Sequence, residues 1–134
     1  MKRLFVLSSL VIIFALAACG GVTYPVEYDN GTVVATEESN GTYVVSVEVK
    51  GFAGVPIEAQ LTVSASGNVT AFEVTHHMET AGWGKDVIEG DYIASLLANQ
   101  NNLDGVDAEA GSTATSDGLK NAIRVAKEHV ASLQ

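Results

Sequence analysis

The sequence has few of the residues that build several common classes of site. It contains one cysteine, which excludes an internal disulfide framework and a cysteine-rich zinc site. Its 7 lysines and arginines stand against 16 aspartates and glutamates, a formal charge of −9. Because nucleic acid phosphates need clustered cations, we expect no nucleic acid partner. The 2 prolines argue against stiff linkers, and the 134 residues, 47% of them hydrophobic, suffice for one compact domain.

The N-terminal 18 residues have the pattern of a bacterial lipoprotein signal peptide. The basic residues Lys2 and Arg3 precede an apolar run that is shorter than the roughly 20 residues needed to cross a bilayer. Small residues end this run directly before Cys19, the only thiol. We expect cleavage after Ala18 and lipidation of Cys19 by a diacylglyceryl thioether and an N-acyl chain such as palmitate. The alternative is an ordinary signal peptide followed by an incidental cysteine.

Lipidation predicts a protein held on the extracytoplasmic face of a bacterial cell membrane. Cleavage leaves 5 basic and 16 acidic residues, a net charge of −11. Anionic lipid headgroups repel such a surface, so the acyl chains must hold the protein at the membrane. Residues 19–30 are predicted to be the lipidated cysteine and a tether, and residues 31–134 the folded domain.

Alternating apolar and polar residues predict at least three antiparallel strands. Apolar residues occupy every second position from 43 to 50, and segments 57–63 and 69–75 repeat this period. Asn30-Gly31 and Asn40-Gly41 favour turns, because Asn-Gly reaches positive φ at low cost, and together they predict a hairpin. Short turns between consecutive strands imply antiparallel pairing.

Helical spacing replaces this alternation in the second half of the chain. Residues 91–98 suit a short helix, and apolar residues recur every three or four positions from 119 to 133. Thr115 or Ser116 is predicted to cap the last helix. The residues of this helix expected to face solvent are Lys120, Arg124, Lys127 and Glu128.

Residues 76–84 and 99–112 lack either period and are predicted to be loops. Strands followed by helices predict an α+β fold. We expect an antiparallel sheet of three to five strands packed against a short helix and a C-terminal helix.

Two segments of the second half carry the residues best suited to a ligand site. The first is 77–84, and the second is 107–116, which leads into the last helix. The second segment contains four hydroxyls, those of Ser112, Thr113, Thr115 and Ser116. Free backbone N–H groups and the positive dipole end at a helix start favour a phosphate there. Simple helix capping is the other interpretation.

Together the two segments resemble a known family. Residues 77–84 read His-Met-Glu-Thr-Ala-Gly-Trp-Gly, and residues 107–116 read Asp-Ala-Glu-Ala-Gly-Ser-Thr-Ala-Thr-Ser. The FMN-binding domain has similar motifs in this order. It is shared by flavin-carrying subunits of sodium-pumping quinone reductases, Rnf electron-transport complexes and small bacterial lipoproteins. This chain departs from the family pattern at Ala81, where proline is usual, at Ala110 (serine or threonine) and at Ser112 (alanine).

The resemblance implies FMN as cofactor, joined through its phosphate to Thr113 by a dedicated flavin transferase. It implies that this transferase recognises the segment through Asp107 and Gly111. The residues implied to contact the phosphodiester are Ser112, Thr115 and Ser116, and those implied to lie near the flavin ring are Glu79, Thr80, Gly82 and Gly84.

Trp83, in the glycine-bearing loop, is a candidate to stack on the ring, and the alternative is that it fills a gap between helix and sheet. We expect no metal site, because the neighbouring His76 and His77 should point to opposite faces of a strand.

The sequence therefore predicts a membrane-tethered flavoprotein that carries electrons between partner proteins rather than a stand-alone enzyme. Two alternatives stay open. One is a module that binds FMN or another phosphorylated ligand without a covalent bond, and the other is a structural lipoprotein with a degenerate site.

Overall fold

Five strands and three helices make up residues 21–134, the part of the chain that the computed structural model describes. The strands are β1 (Val26–Tyr28), β2 (Gly31–Ser39), β3 (Thr42–Val49), β4 (Ile57–Val63) and β5 (Val69–His76). The helices are α1 (Gly84–Glu89), α2 (Tyr92–Ala98) and α3 (Thr113–Leu133), and Leu103–Gly105 forms a 3-10 turn. The predicted signal peptide and Cys19 lie outside the described residues.

The strands form one antiparallel sheet in the order of the chain, β1-β2-β3-β4-β5. The predicted α+β class is therefore confirmed. The alternation on β3 and β4 also holds, since facing pairs such as Val45 with Leu61 are fully buried. The Asn40-Gly41 turn has positive φ at both residues, as a tight hairpin requires.

Part of the segment predicted to be a tether belongs to the sheet. Val26–Tyr28 pairs with the start of β2, and Tyr24 is 2% exposed. The Tyr24 and Tyr28 hydroxyls lie 3.0 and 2.8 Å from the two ring nitrogens of His129, a buried residue of α3. Three-residue strands carry too short a pattern for sequence reading, and these contacts fix the segment instead.

Helix α3 packs along one face of the sheet and closes the hydrophobic core. It contacts β2, β3 and β4 through residues such as Leu119, Ile123 and Val130, which are all fully buried. The other face of the sheet is partly open to water. One solvent-facing prediction was wrong. Lys120 is 7% exposed, and its Nζ donates a hydrogen bond to the Val106 carbonyl at 2.5 Å.

Helix α3 also starts earlier than predicted. It begins at Thr113, with Ser112 as the residue before the first turn, so Thr115 and Ser116 lie inside the helix rather than at its cap. The 3-10 turn lies within the predicted loop 99–112, and α1 begins at the last residue of the predicted loop 76–84 and continues through a segment for which no element was predicted. Both are too short for periodicity to reveal. Within the described residues, none of the helices combines the length and apolarity that a bilayer crossing requires.

The start of α3 meets the sheet at the end where β3 leaves and β4 begins. Gly118 allows this approach, because a Cβ there would lie 2.5 Å from the carbonyl oxygen of Lys50. The loop 50–56, the segment 77–83 and the first turn of α3 therefore come together at one end of the domain.

Candidate functional site

A cavity of about 630 Å³ opens where these three segments meet. Its volume lies within the range of roughly 300–1,000 Å³ that small-molecule and cofactor sites occupy. The residues that line it are Phe52, Glu79, Thr80, Trp83, Gly84, Gly111, Ser112, Thr113, Ala114 and Thr115. Both sequence motifs contribute to this wall, so the fold brings together two segments that the chain separates.

The Glu79 carboxylate joins the three segments. It accepts hydrogen bonds from the backbone N–H groups of Phe52, at 3.1 Å, and Ala53, at 3.0 Å. It also accepts a short hydrogen bond from the Thr115 hydroxyl, in the first turn of α3. The side chain is thus tied to the loop after β3 and to the helix start, although it belongs to neither.

These hydrogen bonds keep Glu79 ionised although it is only 6% exposed. Burial, the largest influence, opposes the charged form, but the bonds from Thr115, Ala53 and Phe52 and the charge of His77 together lower the pKa of Glu79 below its usual value. The cavity wall therefore carries a negative charge at neutral pH.

Trp83 and Gly111 also join the two motifs. Gly111 has a φ of +79°, and a Cβ there would lie 2.5 Å from Cζ3 of the indole, so only glycine fits. Trp83 is 57% exposed and lines the cavity. It does not fill a gap between helix and sheet, and its ring is left available to a ligand.

The four hydroxyls near the start of α3 have different environments. Thr115 is buried and donates to Glu79. Ser116 is fully buried, donates to the Ser112 carbonyl at 2.8 Å and accepts from the Glu109 N–H at 3.0 Å. Ser112 is 8% exposed, whereas Thr113 is exposed on the cavity wall. The Ser112 side chain makes no capping hydrogen bond, so the first N–H groups of α3 have no side-chain cap.

Ser116 therefore holds the loop before α3 rather than lining the cavity. Its hydroxyl and the bond from the Ser112 N–H to the Glu109 carbonyl, at 2.9 Å, close the turn 109–112. Asp107 precedes this turn and is exposed, outside the cavity lining.

Ten residues were predicted to bind the cofactor, Trp83 and Gly111 among them. Eight of the ten line the cavity, and the two others, Ser116 and Gly82, do not. Gly82 has a φ of +84° and donates its N–H to Asp86 at 3.1 Å, which shapes the turn before Trp83. Within residues 21–134, no group of three or more His, Cys, Asp or Glu residues could hold a metal ion.

Sequence reasoning missed Phe52, which lines the cavity and is 76% exposed. It lies in a loop between two glycines, where an aromatic side chain is not expected to be buried in the core. That placement is the sequence signal that could have identified Phe52 as a residue that contacts a ligand or partner.

Comparison with protein families agrees with this geometry. The family model described as FMN-binding domain matches residues 51–128, more than half of the chain. The protein therefore belongs to the FMN-binding domain family, and FMN is its cofactor. The searches of curated proteins and of solved structures gave no match.

The cavity suits FMN in its residue types. Phe52 and Trp83 offer aromatic faces to a flat ring system. The first turn of α3 offers backbone N–H groups, the positive end of a helix dipole and the Thr113 hydroxyl to a phosphate. Aromatic and phosphate-binding groups thus line the same cavity, as a flavin nucleotide requires.

Proposed function

We propose that this protein is a lipid-anchored extracytoplasmic electron carrier whose FMN is joined by a phosphoester to Thr113. The observation that carries the covalent part is the contrast among the four hydroxyls at the start of α3. Those of Thr115 and Ser116 are buried and hydrogen-bonded within the protein, and Ser112 is 8% exposed. Thr113 is exposed on the cavity wall, within reach of a modifying enzyme.

Ester formation at Thr113 needs an activated flavin and a second protein. In this step the Thr113 hydroxyl would give up its proton and form the phosphoester, and a flavin dinucleotide would lose its pyrophosphate bond and release the nucleoside monophosphate. A flavin transferase would catalyse this step, reading the exposed Asp107 and the turn around Gly111. The resulting phosphodiester keeps one negative charge, which suits the N-terminus of α3.

Covalent attachment gives a small extracytoplasmic protein a permanent redox group. FMN that dissociates outside the cytoplasm would be lost by dilution, whereas an ester fixes its concentration at the site. The flavin supplies the electron transfer, and the protein positions it and tunes its surroundings. The net charge of −11 expected after cleavage favours encounter with partner proteins that carry basic surfaces.

Flavin fluorescence after denaturation tests the covalent proposal. The chain from residue 20 onward is coexpressed with a flavin transferase in wild-type, Thr113→Val and Ser112→Ala forms, and run on a denaturing gel. We expect fluorescence in the wild type and in Ser112→Ala, and none in Thr113→Val. Fluorescence that persists in Thr113→Val would place the ester elsewhere.

Two other results would support the remaining alternatives. A native protein that is yellow but colourless after denaturation would indicate non-covalent FMN binding. A protein without flavin in either state would indicate a structural lipoprotein with a degenerate site.

Membrane attachment is tested separately. In a bacterial host that processes lipoproteins, the full chain should fractionate with membranes, and Cys19→Ala should release it. Membrane retention of the Cys19→Ala variant would contradict lipid anchoring.

A further inference from the structure

We propose that Glu79 lowers the reduction potential of the bound FMN by placing a fixed negative charge on the cavity wall. The inference rests on FMN binding in this cavity but does not need the ester at Thr113. Its structural basis is a carboxylate that lines the cavity and is held in place by three donors from the surrounding segments.

The charge of Glu79 is balanced by dipoles rather than by a neighbouring lysine or arginine. The ion pairs found in residues 21–134 are Lys85 with Glu89 and Arg124 with Asp104, and neither includes Glu79. Its donors are two backbone N–H groups and one hydroxyl, and His77 adds a favourable charge interaction. Neutral donors stabilise the anion locally but leave its net charge in place, so the field reaches a ligand in the cavity.

That field acts on the two oxidation states of the flavin unequally. Reduction adds two electrons from an external donor and, for the anionic reduced form, one proton, so the ring gains one negative charge. A carboxylate that lines the cavity repels this charge, and the repulsion is stronger in a partly buried site than in water. Glu79 therefore favours oxidised FMN and lowers the potential.

Because its pKa is lowered, Glu79 is ionised at neutral pH. Thr115 contributes to that depression through its hydrogen bond. Losing this bond should raise the pKa of Glu79, so that the carboxylate becomes neutral at a higher pH than in the wild type.

Redox titration of the FMN-loaded protein tests the proposal. Wild type, Glu79→Gln, Glu79→Asp and the control Glu73→Gln are titrated with a chemical reductant and mediator dyes at pH 7, and flavin absorbance is followed. At a fixed ambient potential, Glu79→Gln should show a reduced-to-oxidised ratio roughly tenfold above the wild type, which for two electrons is about 30 mV. Glu79→Asp should restore most of the lower value. Glu73 is exposed on β5 outside the cavity lining, and its substitution should change nothing.

A purely structural role for Glu79 gives a different result. Glu79→Gln would then loosen the cavity and weaken flavin retention, but the flavin still bound would keep the wild-type potential, and that outcome would overturn the proposal. If Glu79→Gln does not fold, the potential of Thr115→Val is measured against pH. In the plot of potential against pH, the inflection that marks protonation of Glu79 should lie at higher pH in Thr115→Val than in the wild type. An inflection at the wild-type pH would also overturn the proposal. Flavin absorbance shows before the titration whether the wild type has bound FMN. A wild type without FMN would refute the cofactor assignment itself.

Discussion

A buried titratable side chain lies near each end of α3, and one of the two is ionised whereas the other is neutral. Thr113 and His129 are about 24 Å apart along the helix at 1.5 Å per residue. Near the start, Glu79 is ionised by three hydrogen-bond donors. Near the end, burial lowers the pKa of His129, and the ring is neutral between two tyrosine hydroxyls. Burial disfavours charge at both ends, and it prevails at His129, whereas the partners of Glu79 overcome it.

The difference also separates a site from a structural contact. The ring of His129 has Tyr24 and Tyr28 edge-on at centroid distances of 5.6 and 5.9 Å, and both its nitrogens have partners. Neither ring nitrogen of His129 is therefore free for a ligand. Glu79 instead borders an open cavity with exposed aromatic residues, where a fixed charge can act on a bound cofactor.

Removal of the carboxylate at the cavity end should have the largest effect on stability. Glu79→Ala leaves the Phe52 and Ala53 N–H groups and the Thr115 hydroxyl without their acceptor. We expect a loss of about 3 kcal/mol in the free energy of unfolding, measured by urea denaturation. A loss below about 1 kcal/mol would show that water replaces the carboxylate as acceptor for these donors.

Removal of the imidazole at the other end should cost less. His129→Phe puts an apolar ring in place of the imidazole and strands two tyrosine hydroxyls, so we expect a loss of about 2 kcal/mol in the same measurement. Glu128→Gln, at the exposed neighbouring position, is the matched control and should change stability by less than about 0.5 kcal/mol. Equal stability of His129→Phe and the control would mean that the tyrosines find water.

A methyl group between α3 and the loop after β3 should have a smaller effect. Alanine at an ordinary helix position is favoured over glycine by about 1 kcal/mol. In Gly118→Ala the new Cβ would press on the Lys50 carbonyl, so we expect a net loss of about 1 kcal/mol and weaker flavin retention. Gly54→Ala, in the same loop but with open space around the new Cβ, should leave both unchanged. A stabilised Gly118→Ala would show that the loop moves away without cost.

Acidification should lower the free energy of unfolding at the two ends over different pH ranges. Both folded-state pKa values are lowered, so each group contributes stability above its unfolded pKa that is lost as pH falls toward its folded pKa. The loss begins near pH 6.5 for His129 and near pH 4.5 for Glu79. In urea denaturation between pH 7 and 5, His129→Phe should therefore show a flatter pH dependence than the wild type. An unchanged slope would assign the wild-type dependence to other groups.

The sequence predicts the sheet and the cavity better than it predicts the contacts between segments. Period-two alternation on β3 and β4 and the spacing along α3 indicate which faces are buried, because each pattern spans many residues. The hydrogen bond from Thr115 to Glu79 joins residues 36 positions apart, and no local pattern encodes it. The same holds for Tyr24 with His129, 105 positions apart, which brings the predicted tether into the fold.

The misplaced helix start has a local cause. Thr115, Ser116 and Asp117 together look like a cap followed by an acidic first turn, as many helices begin. In the structure the hydroxyls of Thr115 and Ser116 bond to Glu79 and to the turn 109–112, so the helix extends back to Thr113. Tertiary partners, rather than capping preference, decide where α3 begins.

Localisation of the flavin by mass spectrometry tests the central claim most directly. Protein isolated from a host with a flavin transferase is digested, and the peptide that contains residues 107–116 is fragmented. The account predicts a single FMN phosphoester on Thr113, with Ser112, Thr115 and Ser116 unmodified. An unmodified peptide, or FMN on Ser112, would contradict it.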